Sequence, residues 1–123
     1  MQQSERFFIE GRNPFDIHFY YSEEAMDSAL EIRNRMMEKF PFLKFFNPHS
    51  KPIGPHTLPF WEADFSNSKN VNQDLGEIII WLLQNRKNHS VLIHPHTYGQ
   101  FVIDHTQNAI WLGEKLELNL KIN

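Results

Sequence analysis

Two stretches of this chain repeat apolar residues at helical spacing, and each follows a short aromatic or β-branched segment; that order restricts the fold more than any other feature. From Glu23 to Phe40 the apolar positions Ala25, Met26, Ala29, Leu30, Ile32, Met36, Met37 and Phe40 form one stripe, with Glu31, Arg33, Arg35 and Glu38 elsewhere. Val71, Leu75, Ile78, Ile79, Leu82 and Leu83 mark a second helix running to about Asn88. Before the first lies Pro14 to Tyr21, strand-like and closed by Ser22-Glu23-Glu24, a cap-like serine with acids in the first turn. Leu58 to Phe65 and Ser90 to His94 are further strand candidates, and Phe42 to Phe46 is a mixed stretch between helix and turn. In the tail, Phe101 to Ile103 and the alternating Leu116, Leu118, Leu120 and Ile122 have strand character, while Asp104 to Gly113 shows no readable period. The order strand, helix, strand, strand, helix, strand predicts a single α+β domain over residues 1–123, a ferredoxin-like βαββαβ sandwich with a C-terminal β extension. In that topology both helices cover one sheet face and the strand order is 4-1-3-2. The third strand is expected to run parallel to the first and the fourth antiparallel to it.

Alternation along the strands divides their side chains between two faces. Ile17, Phe19, Tyr21, Trp61, Ala63, Phe65, Val91 and Ile93 are expected against the helices. Asp16, His18, Tyr20, Phe60, Glu62, Asp64, Leu92 and His94 then share the other, open face. An open face and an alternating apolar tail are liabilities if left bare, so a second copy of the chain, a homodimer, is expected. With 12 Lys+Arg against 15 Asp+Glu, no excess of positive charge exists to hold nucleic acid. The longest apolar run, Ile78 to Leu83, is too short for a membrane span, and Met1 to Arg6 lacks a basic start before an apolar segment. A cytoplasmic protein without a membrane partner is the expectation.

Cysteine is absent, so any metal must be held by imidazole and carboxylate. The chain has seven histidines, three of them between His94 and His105. Such a cluster suits a divalent ion that takes two or three nitrogen ligands and one oxygen, with positions left open for substrate. In His94-Pro95-His96-Thr97 the proline fixes the backbone between two imidazoles, and Tyr98-Gly99 reads as a turn returning Asp104-His105 to them. His18 shares its face with His94, and His56 stands just before the third strand. Glu62 and Asp104 are the candidate carboxylates; Asp104 either completes the site or orients His105. His49 and His89, in polar turns, read as structural.

These residues carry a resemblance. Asp16-Ile17-His18-Phe19-Tyr20-Tyr21, Gly54-Pro55-His56, and His94-Pro95-His96-Thr97 leading through Asp104-His105-Thr106 to Trp111-Leu112-Gly113 resemble the motifs of the DOPA 4,5-dioxygenase family. The likeness runs over about residues 14–120 and implies an aromatic-ring-cleaving dioxygenase on a ferredoxin-like fold, using non-haem Fe(II). Its implied partners are a catechol-like substrate and O2; zinc or another divalent ion can take the same ligands. Extradiol cleavage needs Fe(II) to bind two adjacent ring oxygens and O2 together, so the protein must leave open positions on the metal. His18, His94 and His105 are the candidate ligands implied, and His18, His56 and His96 the candidate catalytic residues, one of them free to move the proton of the second hydroxyl. The alternative class is a non-catalytic dimeric ferredoxin-like module that binds a metal or a small aromatic ligand.

Overall fold

The computed structural model describes residues 7–98 and 100–120. The strands are β1 (Phe15–Tyr20), β2 (Lys44–Phe45), β3 (Phe60–Asp64), β4 (Val91–Pro95) and β5 (Ile110–Leu112), and the helices α1 (Met26–Lys39), α2 (Val71–Asn85) and the single-turn α3 (Phe101–Asp104). They form a five-stranded sheet in the order β2-β3-β1-β4-β5. Its first four strands have the ferredoxin-like order expected, and β5 is the C-terminal extension. Among the described residues no helix is long and apolar enough to cross a membrane.

The two-residue period of β1 organises the packing. Ile17 and Phe19 point at α1 and α2 and join Ala29, Ile32, Met36, Trp61, Ala63, Ile78, Leu82, Val91 and Ile93 in the main core. Phe19 stacks on Trp61 with ring centroids 4.7 Å apart and planes 8° from parallel, and the Trp61 indole N–H donates to the Ala29 carbonyl at 2.9 Å, pinning α1 to the sheet. At the start of α2, the Asn70 side chain accepts from the Gln73 N–H, capping the helix. Ser22 makes no such cap; a single 3-10 turn, Glu23–Ala25, leads into α1 instead.

Several expectations need correction. β3 runs antiparallel to β1, not parallel. β2 and β3 are neighbours joined by the 46–59 segment, which must reverse the chain, so the start of β3 (Phe60) lies beside the end of β1 (Tyr20). Phe101 to Asp104 is a single helical turn, not a strand; three apolar residues in a row are too few to define a period. The β extension is Ile110–Leu112, paired with β4, within the stretch that had no readable pattern. Leu116 and Leu118 keep their alternation, half-buried between exposed neighbours, but form no strand. They pack on Tyr20, Phe60 and Leu92. That segment is fastened to the loop before β3 by the Asn119 N–H on the Pro55 carbonyl at 2.7 Å and the Thr57 hydroxyl on the Glu117 carbonyl at 2.7 Å. The chain thereby covers one end of the sheet face that a second copy was invoked to cover; Ile122 lies outside the described residues.

Phe19 is fully buried against Trp61, so Phe19→Ala should lower unfolding stability by about 3–5 kcal/mol. Urea denaturation checks this; a loss below about 1 kcal/mol would mean that the site collapses freely.

Candidate functional site

The end of the sheet face left uncovered carries a cleft of about 430 Å³, lined among others by Arg12, Asp16, His18, His56, His94, His96, Phe101 and His105. Its residues arrive from four directions. β1 contributes Asp16 and His18; β4 lies antiparallel beside it with His94 opposite Asp16. His96 follows β4. The 46–59 segment delivers His56 through a turn in which its N–H donates to the Ile53 carbonyl at 3.2 Å and Gly54 sits at φ +62°, a conformation that a side chain would strain. α3 ends at His105.

Ring centroids of His18 lie 4.2 Å from His56 and 5.1 Å from His94, and His105 stands 4.0 Å from His94 and 6.4 Å from His56. His94 is also 5.3 Å from His96. All five candidate histidines therefore line one cleft. His89 and His49 do not: His89 is held by Ser28 and the Tyr20 carbonyl, and His49 packs beside Phe60.

Hydrogen-bond partners fix several ring tautomers. His94 Nδ1 faces the Pro95 carbonyl at 3.0 Å and His105 Nδ1 the Phe101 carbonyl at 2.8 Å. A carbonyl only accepts, so both rings carry their proton on Nδ1 and leave Nε2 as a lone pair. His94 Nε2 is only 3.1 Å from His18 Nε2. Two lone pairs cannot face each other at that distance unless a proton or a cation lies between them. Two imidazole nitrogens bonded at about 2.1 Å to one ion, at right angles, would stand about 3 Å apart. His18 Nδ1 is buried without a hydrogen-bond partner.

Asp16 is the residue that sequence reasoning left off the site. Its carboxylate accepts from His96 Nε2 at 2.9 Å and from Asn13 at 2.7 Å, and lies 3.7 Å from His94 Nε2. Two sets have ligand atoms within 4.8 Å of one another: Asp16, His94 and His96, and Asp16, His18 and Glu62. His105 belongs to neither set. The signal was present, since alternation had put Asp16 on the face of His18. The fit with a divalent ion is good: a carboxylate, bare imidazole nitrogens and a buried His18 ring whose one unbonded nitrogen shows its hydrogen-bonding capacity unused.

Asp104 does not take the part offered to it. Its oxygens accept from the Thr97 N–H at 2.7 Å and hydroxyl at 2.6 Å, and His105 Nδ1 is engaged by Phe101 instead. Asp104 thus ties α3 to Thr97, just beyond β4, which brings His105 to His94.

Burial favours the neutral form of His18, His56, His94 and His105. It pushes His94 and His56 down to about 4, and His18 well below the ordinary value, with the charges of the neighbouring imidazoles adding to the effect. His105 is lowered for the same first reason. Burial raises Glu62 to about 7, helped by Asp16 and Asp64. It also raises the Tyr20 phenol. For Asp16 burial acts upward, but the His96 hydrogen bond and the charges of His96 and His94 outweigh it and hold the carboxyl below its usual value.

A model of the Dopa 4,5-dioxygenase family matches residues 15–122. The chain belongs to that family. The match takes in β1, the loop carrying His56 and the run from His94 to His105, so every histidine of the cleft lies within it. Among relatives of the family member described here, an uncharacterised 21.2 kDa protein of Botryotinia fuckeliana is 35% identical over 120 residues, covering 90% of this chain. The chain spans 63% of that fungal protein's length. A crystal structure of a candidate dioxygenase from Nostoc punctiforme PCC 73102 superposes with a TM-score of 0.79 at 28% identity, over 97% of this chain and 93% of that one. Family and structural neighbour both point to dioxygenase chemistry, and the cleft holds imidazole and carboxylate groups able to bind a metal.

The shifted groups make stability of the metal-free protein depend on pH. Unfolded histidine takes up a proton near 6.5, whereas native His56 and His94 do so only at about 4. As pH falls from above 6.5 towards 4 the unfolded chain binds protons that the native chain does not, so stability should fall across that window. Glu62 acts oppositely, keeping its native proton up to about 7 when the unfolded value is 4.5. Urea titrations from pH 4 to 8 should therefore show stability rising to about 6.5, and Glu62→Gln should steepen the rise.

Proposed function

We propose that the protein is a non-haem, metal-dependent extradiol-type dioxygenase that opens a catechol-like aromatic ring, with Fe(II) as its metal. The observation that carries this reading is the His18–His94 pair, with nitrogens 3.1 Å apart beside the Asp16 carboxylate at the floor of an open cleft. His18, His94 and Asp16 are the residues we assign to hold the ion: Asp16 is common to both ligand sets, and His18 and His94, one from each, stand 3.1 Å apart, with the His105 ring 4.0 Å from that of His94. Iron(II), when bound, supplies the site at which a catechol and O2 meet and the electron transfer between them that ring opening requires.

The chain's own residues account for the remaining tasks. Phe101, its ring 4.3 Å from that of His105 with the planes tilted by 34°, is exposed at the cleft mouth and offers a flat face to an aromatic ring. His96 directs Nε2–H at Asp16, which leaves Nδ1 as the position for proton transfer, and is the base we assign to the substrate hydroxyl. His56 lines the opposite wall. Neutral histidines suit this work because a protonated ring can neither bind a metal nor accept a proton.

The alternative, a binding module without turnover, shares every one of these contacts and is separated only by experiment. Loading the protein with Fe(II) under argon, adding a catechol and then admitting air should give a yellow ring-opened product. His18→Ala should abolish that colour while leaving the fold intact, because the ring faces the cleft and not the helix-packed core. Tight catechol binding without any product from the iron-loaded wild type would support the module instead. Whether the protein acts as a homodimer is a separate proposal, read by light scattering at micromolar concentration.

A further inference from the structure

The hydroxyl of Tyr20 has no place in the mechanism above, yet it makes a short contact at the cleft. It lies 2.6 Å from His56 Nδ1. Tyr20 is 1% exposed and packs among Phe60, Leu92 and Trp111. No other hydrogen-bond partner for this hydroxyl exists among the described residues.

Two proton arrangements fit the distance. If His56 Nδ1 carried the proton and donated to the phenol oxygen, the Tyr20 hydrogen would be buried with no acceptor, which costs about 1–3 kcal/mol. If the hydroxyl donates to a bare Nδ1, both groups are satisfied and the ring's own proton must sit on Nε2. His56 thus differs from His94 and His105, whose backbone carbonyl partners force the opposite tautomer.

We propose that Tyr20 is a positioning residue: it donates to His56 Nδ1 and so fixes His56 with an N–H, not a lone pair, directed at the cleft. In this form His56 can neither ligate a metal nor accept a proton. It can donate a hydrogen bond to an anionic oxygen, so the class of ligand it selects is an oxyanion, such as an ionised ring hydroxyl. No proton is transferred by His56 in this role. The tautomer stands on geometry alone; its use on a catecholate rests on the function proposed above.

Long-range proton–nitrogen correlation spectra of the metal-free, nitrogen-15-labelled protein at pH 7 read the tautomers directly, with His56 identified through the spectrum of His56→Gln. The expected result is an Nε2–H pattern for His56 and Nδ1–H patterns for His94 and His105. In Tyr20→Phe, which keeps the ring and removes only the hydroxyl, His56 should move to a mixture of tautomers while the other two stay fixed. In the iron-loaded enzyme, His56→Gln, which retains an N–H donor and cannot act as a base, should keep at least about tenfold more kcat than His56→Leu. An Nδ1–H pattern for His56 in the wild type overturns the proposal, and so does a His56→Gln enzyme as inactive as His56→Leu. If wild type opens no catechol at all, the proposed function fails, and the wild-type spectrum still decides the role of Tyr20.

Discussion

A strand that is central in a sheet must satisfy both of its faces at once, and β1 does so with alternating chemistry. Ile17 and Phe19 are locked against α1, α2 and Trp61, while Asp16, His18 and Tyr20 are turned the other way by the same backbone. The core therefore sets the site. A one-residue slip of β1 would bury a carboxylate and an imidazole under the helices and expose Phe19. Because β1 pairs with β3 on one side and β4 on the other, His18 also lies between what precedes β3 and what ends β4. That is how His56 and His94 reach it from opposite directions.

Crowding this many titratable rings into a desolvated cleft restricts their charge state. Burial lowers His18, His56, His94 and His105 alike, and for His18, His56 and His94 the charges of neighbouring imidazoles act in the same direction. What remains is a set of rings whose orientation is decided by fixed partners: backbone carbonyls for His94 and His105, a phenol for His56, a carboxylate for His96. Asp16 supplies negative charge at the centre. An arrangement poor in protons and provided with a carboxylate accommodates a cation more readily than it accommodates acid.

Much of this could be read from the sequence, because alternation encodes which side a residue faces. It assigned Asp16, His18 and His94 to one face and Phe19, Trp61 and Ile93 to the other, and the structure has them there. Alternation does not encode strand direction, which depends on the connections; hence the reversal of β3. Nor does proximity along the chain imply proximity of side chains. Asp104 and His105 are neighbours in sequence, but successive residues of a helical turn point apart, so the acid meets Thr97 and the imidazole meets His94. The importance of Asp16 emerges only once His96 is placed across from it, a contact spanning most of the chain that no local pattern announces.

The fastening of residues 117–119 to the loop at Pro55 and Thr57 links the tail to the opposite wall of the cleft. Pro55 immediately precedes His56, so anything that loosens the tail also loosens one wall of the pocket. Amino-acid replacements on the exposed positions of this segment thereby gain a route to altering the shape of the pocket. Divergence within the family can then reshape the cleft while the histidines and Asp16 stay untouched.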